Sequence, residues 1–156
     1  MKIEWKNCGS QYDRIIADSM DYIDRRMLCL EKKSWNETAK DIAENVLLGK
    51  NGQFRNVVGF VEDKPAVFVM FGTEFSGREL RVYNILVTPS MRGKGIGKQA
   101  IKDLMDERNI FGFDQTYDRI VASVFPDNDP SYDMFVESGL GFSHYNDGLV
   151  DMERKL

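Results

Sequence analysis

Apolar residues in the first part of the chain recur every three to four positions. Ile15, Ile16, Met20, Ile23, Met27 and Leu30 form such a stripe, which predicts an amphipathic helix from about Tyr12 to Leu30 with Asp18, Asp21 and Asp24 on its other face. Ser34-Trp35-Asn36-Glu37 reads as a capping box, in which hydroxyl and carboxylate each satisfy an orphan backbone N–H. A second helix therefore starts there, runs to Leu48 and stops at Gly49. A short strand over Lys2 to Asn7 precedes both.

After Gly52 the pattern changes from helical spacing to short apolar runs bounded by turns. Val57 to Val61, Val67 to Phe71 and Leu80 to Val87 predict three strands, joined by turns at Glu62-Asp63-Lys64-Pro65 and Ser76-Gly77, hence an antiparallel meander. Helical spacing returns at Ile96, Ala100, Ile101, Leu104 and Met105. A crossover helix there allows the next strand, Ile120 to Phe125, to lie parallel to the strand before it. A short helix near Ser131 to Glu137 and two strands, Phe142 to Tyr145 and Leu149 to Glu153 around Asp147-Gly148, close the chain. The fold class is α/β with a mixed sheet.

Between the third meander strand and the crossover helix lies Arg92-Gly93-Lys94-Gly95-Ile96-Gly97-Lys98, with three glycines in five positions. Glycine in an ordered segment costs roughly 0.5–1 kcal/mol relative to alanine, so the backbone there bends tightly or approaches something closely. A nucleoside-triphosphate loop needs GxxxxGK followed by Ser or Thr; here Arg92 stands in place of the first glycine and Gln99 follows the lysine. The dinucleotide pattern GxGxxA is matched literally by Gly95 to Ala100. Its context is not, because about seven residues including Pro89 separate strand from glycines, and a meander precedes them. A third reading is backbone N–H groups at a helix N-terminus wrapped around a pyrophosphate, with Arg92 and Lys94 adding charge. A glycine-softened turn that only caps a core helix would need one glycine, not three.

The order Val-x-Pro-x-x-Arg-Gly-x-Gly-Ile-Gly, between a strand and an amphipathic helix, resembles the acetyl-CoA-binding signature of the GNAT superfamily of N-acetyltransferases. The matching positions are Arg92, Gly95 and Gly97. Element order extends the resemblance over nearly the whole chain. It implies one domain over residues 1–156: a mostly antiparallel sheet of six to seven strands, helices on both faces, and a V-shaped splay between the signature strand and its parallel neighbour. It implies direct transfer of an acetyl group from acetyl-CoA to a primary amine of a small molecule or peptide. By the same resemblance Arg92, Gly93, Lys94, Gly95, Ile96, Gly97 and Lys98 hold the pyrophosphate, while Ile85, Leu86 and Val87 offer backbone groups to the pantetheine arm. A backbone N–H there would stabilise the developing oxyanion, a contribution of about 3–4 kcal/mol in other enzymes. Asn128 matches the position that hydrogen-bonds that arm.

The chemistry needs a neutral amine and therefore a base or a water chain leading to one. Glu79 is the candidate, since it shares strand parity with Arg81, Tyr83 and Ile85; a solvated carboxylate opposite an arginine is the other reading. The family's acid, a tyrosine on the short helix, falls at Phe135 if Gly139-Leu140 is the pair that closes the helix. If Gly141-Phe142 is that pair, the offset is undefined. Tyr132, one turn before Phe135, is the substitute acid, against an ordinary half-buried aromatic. The displaced tyrosine and unsettled glutamate keep a second class open, an acyl-CoA-binding sensory module without turnover.

Composition narrows the remainder. The chain has 156 residues, 42% hydrophobic and 29% charged, with a net charge of −4, a balance that argues against a general nucleic-acid binder. Cys8, Cys29 and the single His144 make no metal-ligand spacing and no disulfide framework, and His144 is read as structural. No apolar run approaches the roughly 20 residues of a membrane span and no signal-peptide core opens the chain, so a cytoplasmic enzyme is expected. Phe111, Phe113 and Tyr117 are assigned to core packing, with a role at the site rim or a dimer contact as the alternative, which leaves monomer or homodimer open. The resemblance puts the first two helices on the acceptor side, and there Asp18, Asp21, Asp24, Glu31 and Glu37, interleaved with Arg25, Arg26, Lys32 and Lys33, do not select an amine.

Overall fold

The alternating runs of the middle of the chain pair into one seven-stranded sheet of order β1-β2-β3-β4-β5-β7-β6. The strands are β1 (Glu4–Asn7), β2 (Gln53–Val61), β3 (Lys64–Thr73), β4 (Glu79–Val87), β5 (Arg119–Val124), β6 (Gly141–Asn146) and β7 (Leu149–Lys155). The structure is a computed structural model that describes residues 1–30, 32–46, 52–73, 78–106, 111 and 117–156. The turn expected at Ser76-Gly77, and Glu31 and Phe113, lie outside these residues. Among described strands only β4 and β5 pair parallel, as a crossover helix permits. Glu62 and Asp63, both with positive φ, make the two-residue β2–β3 hairpin, and Asp147 and Gly148 make the β6–β7 turn the same way.

Two apolar layers cover the sheet. On one face α4 (Ile96–Asp106) and α5 (Asp129–Glu137) bury Ile96, Ile101, Leu104 and Phe135 against Val69, Phe71, Leu80, Ile120 and Met152. On the other, α1 (Asp13–Asp18), α2 (Tyr22–Met27) and α3 (Trp35–Asp41) lie over Val58, Phe68, Met70 and Leu86, with Ile16, Leu30, Trp35 and Ala39 buried between. Trp35 meets Phe68 edge-on at 6.2 Å, and its indole N–H donates to Asn56 Oδ1 at 2.8 Å. The polar handle of a buried aromatic is thereby satisfied.

The stripe from Tyr12 to Leu30 is two helices instead of one. Ser19 Oγ donates back to Ile15 O at 2.7 Å, and the Asp21 carboxylate accepts from Asp24 N at 2.8 Å while Asp24 returns the bond to Asp21 N. Side chains that bond nearby backbone compete with helix continuation, so the apolar period runs on while the helix breaks. The box at Ser34 and Glu37 does form, reciprocal at 3.2 Å. Its helix passes at Ile42–Val46 into a single π turn, and the end expected at Leu48-Gly49 lies outside the described residues.

Candidate functional site

Strand β4 carries a bulge that decides which side chains face which layer. Its pairing with β3 runs Val69↔Ile85, Met70↔Asn84 and then Phe71↔Val82, so Tyr83 is an extra residue. A bulge of this kind reverses alternation beyond it. Leu80 and Val82 therefore pack towards α4, as do Ile85 and Val87, whereas Tyr83 and Leu86 pack towards α1 to α3. The shared parity from Glu79 to Ile85 expected from unbroken alternation does not survive this insertion.

The same place is where β4 and β5 part. Their parallel pairing covers Glu79↔Arg119 to Val82↔Ala122 and ends, although β4 continues to Val87 and β5 to Val124. This is the expected V-shaped splay. From Tyr83 onward the edge of β4 turned from β3 has no strand partner among the described residues, and a groove of about 670 Å³ opens beside it. Ile85, Leu86 and Val87 line one wall; Gly93, Gly95, Ile96, Gly97 and Lys98 line the end; Asn128, Ser131 and Met134 of α5 line the other wall. Ile23, Asp24 and Met27 of α2 and Leu28 at its C-terminus also line it, a contribution the sequence pattern did not disclose.

The three glycines have different physical reasons. Gly93 and Gly95 have φ of +76° and +78°, a region costly to L side chains, and a Cβ on either would meet nothing within 4 Å. Positive φ on either side of Lys94 is the kind of alternation that can turn successive N–H groups to one side as a nest for an anion, and α4, with its unpaired first N–H groups, begins directly after it. Gly97 sits within α4, and a Cβ there would stand 2.5 Å from Met134 Sδ, so this glycine serves close packing of α4 against α5.

Arg92 is spent largely on the protein itself. Its Nε donates to Val87 O at 2.9 Å and its terminal nitrogen to Ser19 O at 3.0 Å, with Asp24 Oδ2 at 3.4 Å, so it ties the signature turn to α1 and α2. Lys98 Nζ reaches Glu137 Oε2 at 3.2 Å, and the Lys94 side chain is exposed. The anion-binding capacity of this end is thus mainly backbone. Asn128 lines the groove and caps α5, its Oδ1 accepting from Ser131 N at 3.4 Å.

The residues expected to handle protons are placed elsewhere than the groove. Glu79 stands at the start of β4, six residues from Ile85 or about 20 Å along a strand. Its Oε1 accepts from Arg81 at 2.7 Å and its Oε2 from Arg119 at 3.2 Å. Tyr132 packs against the main core and does not line the groove. Gly139 N donates to Val136 O and Leu140 N to Phe135 O, both at 2.9 Å. This is a Schellman closure with Gly139 at φ +91°. Gly139-Leu140 is therefore the helix-closing pair, and buried Phe135 occupies the position where a tyrosine was sought. Phe111 and Tyr117 are buried in the core.

A second cavity, of about 420 Å³, lies across the splay and shares Met27 and Leu28 with the groove. Arg81, Tyr83, Asn84 and Ser123 line its floor. Ser123 Oγ accepts from Arg81 Nη1 at 2.9 Å and donates to Asp151 Oδ1; Asp151 Oδ2 is 3.3 Å from His144 Nε2. The Asp151 side chain is 3% exposed and that of His144 61%. A hydroxyl in the cavity is thus wired through a buried carboxylate to an imidazole at the surface. Asp151 and Ser123 were readable as polar residues inside apolar strand runs; their alignment across β5, β7 and β6 needed the register.

Comparisons agree with this geometry. The family model described as "Acetyltransferase (GNAT) family" matches residues 20–142. No curated protein matches the chain. Among solved structures, a phosphinothricin acetyltransferase from Sinorhizobium meliloti with acetyl-CoA is similar at TM-score 0.66 and 17% identity, over 100% of this chain and 89% of that one. Spermidine N-acetyltransferase from Vibrio cholerae, with CoA and spermine, gives 0.69 and 13% over 98% and 95%. A Bacillus subtilis acetyltransferase with CoA gives 0.64 and 13% over 99% of each. At these identities the structures speak for the fold, and the family match over most of the chain for membership: the chain belongs to the GNAT acetyltransferase family.

Proposed function

We propose that residues 1–156 form one catalytic domain that transfers an acetyl group from acetyl-CoA to a primary amine. The observation that carries this is the convergence of the parted β4–β5 edge and the Gly93–Gly95 nest on one groove. Backbone N–H groups of residues 93–98 would hold the pyrophosphate, with Lys94 and Lys98 adding charge, and Arg92 would fix the turn by its bonds to Val87 and Ser19. Ile85, Leu86, Val87 and Asn128 would flank the pantetheine arm. Solved relatives that hold CoA or acetyl-CoA support the choice of co-substrate.

The acceptor would enter the Ser123 cavity, which meets the groove at Met27 and Leu28. Its nitrogen attacks the thioester carbon, the C–S bond breaks, and two protons leave the ammonium nitrogen overall. One ends on the CoA sulfur. The other passes to Ser123, whose own proton moves to Asp151 and on towards His144. Glu79 then acts at one remove, by holding Arg81 against Ser123. Sulfur leaves as thiolate without a dedicated acid, as a thiol of pKa near 8.5 allows.

The test is release of free CoA from acetyl-CoA across a library of amines, with acetylated product identified by mass. Turnover is expected, and Ser123→Ala should lower kcat at least tenfold while the KM for acetyl-CoA stays within twofold. Tight acetyl-CoA binding with no CoA release from any amine would replace this reading by the sensory one.

A further inference from the structure

Beyond the Ser123 cavity lies a third space of about 590 Å³, which shares Cys29, Thr38, Ile42 and Phe125 with it. Groove, cavity and recess are therefore successive neighbours, each sharing lining residues with the next. The charge of this last compartment runs against the charge of the molecule. The chain carries −4 overall, yet among the described residues the recess is lined by Arg26, Lys32 and Lys33 with Asp41 as the one carboxylate. Lys33 and Asp41 pair with each other. Among the described residues, Arg26 and Lys32 have no carboxylate in ion-pair contact. Two uncommitted, exposed cations thus border one concave space, where their charges act together on an anion that enters it.

We infer that the acceptor is a small primary amine that also carries an oxyanion, a carboxylate, phosphonate or phosphate, seated between Arg26 and Lys32. The inference rests on the acetyltransferase reading above. Arg26 offers a planar fork suited to a two-oxygen anion, and Lys32 a point charge. The same pair repels a polyamine, whose second cation would have to enter the recess, so the lining discriminates by exclusion as well as attraction. Cavity and recess, about 420 and 590 Å³, each have the volume of a small-molecule site, which favours an amino-acid-sized molecule over a protein chain.

The experiment compares matched acceptors: amino acids against their decarboxylated amines, and aminoalkylphosphonates against the same amines, with CoA release as readout. A tenfold or greater advantage in kcat/KM for the anionic member of each pair is expected. Relative rates of carboxylates and phosphonates identify the oxyanion. In Arg26→Gln/Lys32→Gln, the ratio of kcat/KM for the anionic acceptor to that for its neutral partner should fall at least tenfold, and the charge reversal Lys32→Glu should favour diamines. Equal or better turnover of decarboxylated amines or polyamines, an unchanged ratio in the double variant, or faster turnover of peptides than of any free amino acid would each overturn the inference while leaving the acetyltransferase reading intact. If no amine turns over, it is the acetyltransferase reading that fails.

Discussion

Gly95 separates strain from charge when replaced by an isosteric pair. Its φ of +78° costs an ordinary L residue roughly 1–2 kcal/mol. Asn and Asp tolerate that region best, and the absence of any atom within 4 Å of a Cβ there means neither adds a clash. Gly95→Asn and Gly95→Asp should therefore melt within a degree or two of each other. In a domain of this size about 1 kcal/mol corresponds to roughly 2–4 °C, so both should melt lower by up to about 8 °C. They differ in one negative charge at the mouth of the nest. A unit charge about 4 Å from a phosphate is opposed by roughly 1 kcal/mol in water-like surroundings and about 4 kcal/mol at an effective dielectric of 20. At 1.4 kcal/mol per decade this weakens the Asp variant by about fivefold to several hundredfold relative to Asn. Calorimetric titration with CoA gives the two dissociation constants, and the gap should narrow as salt is raised. Equal affinities for the Asn and Asp variants, or a gap indifferent to salt, would show that the nest does not face the pyrophosphate.

Arg92→Ala removes the bonds to Val87 O and Ser19 O and the Asp24 contact, so a loss of about 1–2 kcal/mol is expected after allowance for its exposure, read as a lower thermal midpoint together with a raised KM for acetyl-CoA. The Cys8 thiol is pushed up to about 12, first by burial and then by the Asp13 carboxylate. At pH 8 it should resist a thiol reagent that consumes exposed Cys29. Because the unfolded chain gives up the Cys8 proton near the ordinary thiol value while the folded chain keeps it, this residue's contribution to stability falls as pH rises from about 9 towards 12. Comparison of wild-type and Cys8→Ala melting over that range reads the difference.

What could be read from the chain was what depends on short-range rules. Ser34 and Glu37 cap because a hydroxyl and a carboxylate three residues apart reach each other's backbone, whatever the rest of the fold does. The glycine stretch was legible as a bend for the same reason, yet sequence could not divide its glycines by cause. Gly93 and Gly95 answer to backbone angle and Gly97 to Met134, a residue 37 positions later. The break at Asp21 was missed because its cap lies inside an apolar stripe that continues across it.

The separation of Glu79 from the face of Ile85 has a single geometric origin with wider consequence. Extrapolating alternation along β4 put Glu79, Arg81 and Ile85 on one face, and the extra residue at Tyr83 reverses everything after it. One bulge therefore sets two compartments on one strand. Before it, polar Arg81 looks towards Ser123 and the buried Asp151; after it, Ile85 and Val87 belong to the α4 layer and Leu86 to the α2 side. Pairing with β5 stops at the residue before the insertion, at Val82↔Ala122. A bulge increases local twist, and a strand twisted away from its parallel neighbour leaves its edge open. The inserted residue thus lies where the strand passes from the Ser123 cavity, which Tyr83 lines, to the groove beside Ile85 to Val87. Deleting Tyr83 should close the splay and remove both, where a mere loss of one aromatic side chain, as in Tyr83→Ala, should leave the groove and CoA binding in place.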